Sequence, residues 1–223
     1  MSRSGRIAIV LGMLAVVVFL VVFTAMSFVG SEPPTVNLTA GHVPGRPVHL
    51  VLQTDGAVGV GPHPTWVGYQ AKDPATGAWV QTGLWQVPAH TKLDVTIYQF
   101  DSGSALRNQN WGRVTGVSAT LNTAPFGLID SNKVPVGHTF SIPALGISVP
   151  LKGVNTSLKN FCTAGPCNPA TQAHNTITFS ITTPGPGSYH WQCFIPCGLG
   201  FLYGNGGPMQ TEGFMGGFLE VMA

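Results

Sequence analysis

The chain opens with a short basic stretch and then runs from residue 7 to residue 29 without a formally charged side chain. As an α-helix rising about 1.5 Å per residue, that run reaches roughly 35 Å, enough to cross a hydrocarbon core of about 30 Å. A cleavable leader has an apolar stretch of only about 7–15 residues and a small-residue cleavage site. No clear Ala-x-Ala follows here, so residues 1–30 are expected to be a retained membrane anchor. Arg3 and Arg6 precede the span and Glu32 is the nearest charge after it, which places the N-terminus in the cytoplasm and the remainder on the outer face. Residues 31–47, polar and Pro-containing, read as a linker.

From residue 48 the pattern shortens to the period of a strand. Strand-like runs are expected at 48–54, 65–70, 78–82 and 84–87, then over 87–101, where Leu93, Val95 and Ile97 alternate with polar positions. Further runs cover 113–121, which reads as part of a short hairpin within 102–133, and 136–146 and 147–151. Residues 176–183 alternate strictly, with Ile177, Phe179 and Ile181 on one face, and 189–193 follow a Pro-Gly turn. No internal repeat and no second long helix is visible. The folded part, residues 48–223, is therefore expected to be all-β.

Composition agrees. Charged residues make up only 8% of the chain, while Gly (29) and Pro (18) are plentiful, which suits short strands joined by turns. A net charge of +2 with no Lys/Arg run gives no case for nucleic-acid binding. No nucleophile–base pair or open zinc site is apparent, so the chain is not expected to be catalytic by itself.

The four cysteines form two local pairs. Cys162 and Cys167, separated by Thr-Ala-Gly-Pro, suit a disulfide-closed loop in an oxidising compartment. The sharper alternative, a metal site with His174, is one ligand short of a closed zinc site. Cys193 and Cys197 end a strand-like run, and Met215 opens the next one. Two thiols and a thioether are the soft donors that select copper, and His138, on an earlier strand, is the candidate imidazole. His42, His49, His63 and His90 have no metal-motif spacing and read as surface or packing residues.

Residues 138–146 (HTFSIPALG) and 187–198 (GSYHWQCFIPCG) resemble two motifs of the cupredoxin domain of cytochrome c oxidase subunit II, the family with the copper A centre. The likeness covers roughly 86–101 and 134–223. It implies a cupredoxin-like Greek-key β-sandwich with one N-terminal transmembrane helix, carrying inserts near 102–133 and 152–175. It also implies that Cys193 and Cys197 bridge copper, that His138 and Met215 are terminal ligands, and that the backbone carbonyl of Ile195 is a further donor.

The family places a second His three residues before the Met; here Glu212 stands there, and no His follows His190. Three readings remain open: Glu212 replaces the imidazole, His190 reaches in, or one copper binds instead of two. Alternation sends His190 to the face opposite Cys193, and one ion ranks above two. Met209, in the enlarged loop before Met215, is a further soft donor or a packing residue.

The function this implies is electron transfer at the membrane. Electrons would pass from a c-type cytochrome or blue-copper donor to terminal oxidase subunit I or another membrane complex. The alternatives are a copper-binding delivery protein and a copper-free structural subunit of a quinol oxidase, the latter marked by a Cys193–Cys197 disulfide.

Overall fold

A computed structural model describes residues 2–29, 34–198 and 207–223. Residues 30–33, among them Glu32, and residues 199–206 of the loop before Met215 lie outside the described residues. Two compact units are present, Met1–Glu32 and Pro33–Ala223. In the first, Arg3–Val29 forms one helix, α1. Its Ser4–Met26 span is long and apolar enough to cross a membrane, a test that a signal sequence also passes.

The second unit is the two-sheet β-sandwich expected from the sequence. One sheet has the spatial order β1 (Thr35–Asn37), β5 (Leu84–Pro88), β13 (Gly216–Met222), β12 (Gly187–Gln192), β9 (Val136–Ile142) and β10 (Ile147–Lys152). The other runs β4 (Trp79–Gln81), β3 (Gly68–Lys72), β2 (Val48–Asp55), β6 (Lys92–Gln99), β11 (Asn175–Thr182), β7 (Ala119–Leu121) and β8 (Ala124–Phe126). The chain passes repeatedly between the sheets: β1 to β2, β4 to β5, β5 to β6, β8 to β9, β10 to β11 and β11 to β12.

The alternation read from the sequence fixes which faces meet. Ile177 pairs with Ile97, Phe179 with Val95 and Ile181 with Leu93, and all six are buried. An aromatic layer fills the core. Trp191 stacks on Trp85 with ring centroids 4.5 Å apart and meets Tyr69 edge-on at 4.8 Å. The Trp191 indole N–H donates to the Gly83 carbonyl at 2.8 Å, which satisfies its one polar atom.

Three expected boundaries move. The run read as one strand over 87–101 is split. Pro88 ends β5 and His90 takes a positive φ of 50°, so the chain turns and β6 enters the other sheet. The segment read as linker over 31–47 contributes β1, parallel to β5 with Val36 opposite Trp85. Val36 and Leu38 are buried there, an alternation too brief to stand out in the sequence.

Of the strand-like run at 113–121 only its end, β7, is a strand, and with β8 it forms the short hairpin expected there. Asn122 and Thr123, both at positive φ, turn β7 into β8, as a two-residue hairpin requires. Arg113 and Thr115 make only isolated bridges. Through the pairing of β7 with β11, part of 102–133 extends the sheet.

Candidate metal centre

All of β9 is buried, and His138 lies near its start. Thr139, next in the strand, meets the sulfur loop twice and the facing sheet once. Its carbonyl accepts from the Tyr69 hydroxyl at 3.0 Å, its hydroxyl accepts from Phe194 N–H at 2.8 Å, and its own N–H points to Cys193 Sγ at 3.4 Å. Cys193 follows β12 directly, and its N–H donates to the Met215 carbonyl at 2.8 Å. Met215, which immediately precedes β13, is fully buried. Strand pairing thereby brings together residues as far apart as 138, 193 and 215.

His138 Nδ1 lies 3.1 Å from Cys197 Sγ and 3.9 Å from Cys193 Sγ, and the two sulfurs are 3.7 Å apart. Both cysteines are unbonded and buried. A first-row ion held tetrahedrally at about 2.3 Å from sulfur and about 2.0–2.1 Å from nitrogen separates two thiolates by about 3.8 Å, and sulfur from nitrogen by about 3.5 Å. The observed triangle fits those spans. The Ile195 carbonyl oxygen stands 3.0 Å from Cys197 Sγ and 3.5 Å from Cys193 Sγ, so a fourth donor faces the same point. A cleft of about 610 Å³, lined by His138, Cys197, Asp101 and Trp66 among others, opens beside it.

Asp101 completes the cluster. Its Oδ2 accepts from His138 Nε2 at 3.0 Å, which fixes the ring and turns Nδ1 toward the sulfurs, the usual second partner of a metal-binding His. Burial alone would lower the His138 pKa, but hydrogen bonds with Asp101 and Cys193 overcome it and raise the pKa to about 9. Burial opposes ionisation of Cys193 too, yet Cys197 and His138 hold its pKa well below the ordinary thiol value. The bond to Cys193, with burial, pushes Cys197 up. Asp101 stays below the usual carboxylate range because, against its burial, His138 bonds to it. The shifts run together: a charged His138 ring, the Asp101 carboxylate and an ionised sulfur favour one another.

Glu212 is not brought to this cluster. It is exposed and lines a separate cavity of about 190 Å³ with His190 and Met209. The Gly213 N–H bonds the Gly216 carbonyl at 3.0 Å, and that turn leaves Glu212 outside the fold. His190 is exposed while Cys193 is buried, as strand alternation requires. Cys162 and Cys167 are joined as a disulfide. His174 is no ligand to them: its Nδ1 meets the Gln172 carbonyl at 2.9 Å, and its ring packs on Tyr98 and Phe100.

Two features were not read from the sequence. One is Asp101 as the partner of His138; its signal was an acid closing an alternating strand just after Phe100. The other is Trp111, which stacks on Phe194 at 4.6 Å with an 8° interplanar angle, directly beside Cys193.

No family model matches the sequence, nor does any curated protein. Among solved structures, the copper protein rusticyanin is similar at 16% identity with a TM-score of 0.34, covering 90% of this chain and 94% of that one. Rusticyanin from Thiobacillus ferrooxidans gives 15% identity and a TM-score of 0.31, covering 89% and 92%. A chain of a heme-copper terminal oxidase dimer gives 14% identity and a TM-score of 0.35, covering 99% and 100%. Superpositions at this level define no common family, so the class rests on this chain's own strands and site: a β-sandwich with a buried Cys-Cys-His cluster.

Proposed function

We propose that this chain is a membrane-anchored, single-copper electron-transfer protein of cupredoxin type. Its folded domain stands on the outer face, and it passes electrons from a c-type cytochrome or blue-copper donor to a membrane-bound terminal oxidase. The observation that carries the reading is the meeting of His138 Nδ1 with both sulfurs inside the buried cluster. The motifs at 138–146 and 187–198 support it, since their residues are the ones that converge.

His138, Cys193 and Cys197 would hold the ion, with the Ile195 carbonyl and Met215 as weaker donors. When bound, copper supplies a one-electron couple whose two states both accept thiolate, imidazole and thioether. The chain's part is to keep those donors still. Asp101 holds the His138 ring and Thr139 clamps the loop, while the backbone bond from Cys193 to Met215 fixes both sulfur-bearing segments. Burial of both thiols excludes water from the donor set. Trp111 on Phe194 is a half-buried aromatic path from the solvent side to Cys193. The unbonded state of Cys193 and Cys197 supports this reading over the copper-free structural one.

The test is copper content and electron paramagnetic resonance of the full chain, purified in detergent and loaded with copper. One ion per chain is expected, with hyperfine splitting from a single copper nucleus and a thiolate-to-copper band lost in Cys193→Ser. Glu212→Gln should leave both unchanged. Splitting shared over two nuclei would overturn the single-ion assignment, and a chain that retains no copper would overturn the reading as a whole.

A further inference from the structure

A second set of ligand-type atoms lies on the disulfide loop. Asp55, which ends β2, is buried, and among the described residues neither of its carboxyl oxygens has a hydrogen-bond partner. A buried polar group without a partner is costly and uncommon. What faces Asp55 is the 162–167 loop. Gly165 N–H bonds the Ala57 carbonyl at 2.7 Å, and a Cβ on Gly165 would stand 2.5 Å from Asp55 Oδ2, so glycine is what lets the loop come this close.

A carboxyl oxygen of Asp55 and the sulfurs of Cys162 and Cys167 lie within 4.8 Å of one another. The Ala164 carbonyl oxygen is 3.3 Å from Cys162 Sγ and 3.8 Å from Cys167 Sγ. This repeats the relation of Ile195 to Cys193 and Cys197: a carbonyl two residues after the first cysteine faces both sulfurs. Phe100 packs over the pair, which gives the sulfurs an apolar wall.

We propose that reduction of the Cys162–Cys167 disulfide converts this loop into a second site for a thiophilic divalent first-row cation, held by both thiolates and the Asp55 carboxylate with the Ala164 carbonyl beside them. The reductant is a dithiol. Its two electrons and two protons break the S–S bond and form two S–H bonds, and it leaves as its own disulfide. Cation entry then displaces the two thiol protons and the carboxyl proton of Asp55. In the disulfide state that proton is retained: burial, with the charge of Asp101, raises the Asp55 pKa to about 8, so the idle carboxyl rests as a neutral acid. The site does not depend on the function proposed for the His138 cluster.

Cobalt(II) is the probe, added to the full chain in detergent before and after treatment with a water-soluble phosphine, which reduces disulfides without adding a competing thiol. The same titration is run in Cys193→Ser/Cys197→Ser, where the first cluster has lost its sulfurs. Reduction should add one cobalt per chain with thiolate charge-transfer absorption, in both backgrounds. Outer-shell partners alone typically change metal affinity by about 10–100-fold, so Asp55→Asn should weaken the added ion by at least about tenfold. Cys162→Ser/Cys167→Ser should abolish it. No added cobalt after reduction overturns the proposal, whether the chain stays folded by circular dichroism or not, as does an added ion indifferent to Asp55→Asn. If instead the Cys193/Cys197 cluster takes up no metal while the reduced loop does, the function proposed above fails and this site stands.

Discussion

Asp55 is held as a neutral acid in the folded chain and ionises freely in the unfolded one. Its pKa rises from 3.8 to about 8 on folding, so the native state keeps a proton that the unfolded state gives up over that window. Stability from this group therefore falls as pH rises from about 4 to about 8, by up to about 1.4 kcal/mol per pH unit. Asp55→Asn removes the titration. Denaturant unfolding of the metal-free chain at a series of pH values should show the variant gaining on the native sequence across that window, and a pH-independent difference would show that Asp55 is already ionised. His138 carries the same sign, its stabilisation complete below 6.5 and lost as pH rises through about 9, but it is present in both chains, and the difference between them over pH 4–8 reports Asp55 first. His138, Cys193 and Cys197, which the structure brings together, each sit in a spaced motif of the sequence. Asp55 and Asp101 do not. They become neighbours because β2 and β6 run parallel with Thr54 opposite Gln99, and a single sequence carries no signal for which strands pair.

At the level of elements, the sulfur-bearing segment depends on how closely β13 approaches the chain just before β5. Phe218 N–H bonds the Gly83 carbonyl at 2.8 Å, and a Cβ on Gly217 would overlap the Gly83 backbone. The same carbonyl receives the Trp191 indole. Gly217→Ala should therefore push β13 away from β5 and cost about 1–3 kcal/mol, the range for overpacking a filled site. Thermal unfolding gives the stability change, and copper affinity, measured separately, should weaken because Met215 sits at the moved end. An unchanged melting temperature would mean the two strands have room to spare. Strand positions with sustained alternation, β6 and β11 above all, were readable in advance. The hairpin of β7 and β8 was legible only as a strand-like run over 113–121, and the β5 to β6 break and β1 were not, since each spans only a few residues or turns on a single backbone angle.

At the scale of the molecule, the apolar helix and the sandwich were both plain in the sequence because each is written over many residues. The scarcity of charge was plain as well, with charged residues at 8% and a net charge of +2. Fields of one sign across a surface can speed the encounter of oppositely charged partners by about 10–10³-fold, an advantage that salt removes. A domain this poor in ionic groups has little such pull to lose. The second-order rate constant for reduction of the copper-loaded chain by a small soluble donor, followed by stopped flow, should change by less than about twofold over a roughly tenfold range of ionic strength. A steep fall would reveal a concentrated charged patch that the composition hides. If the rate is flat, collisions with this protein are unguided at long range, and a donor is selected only after touching it, by the fit and oiliness of the surface it meets.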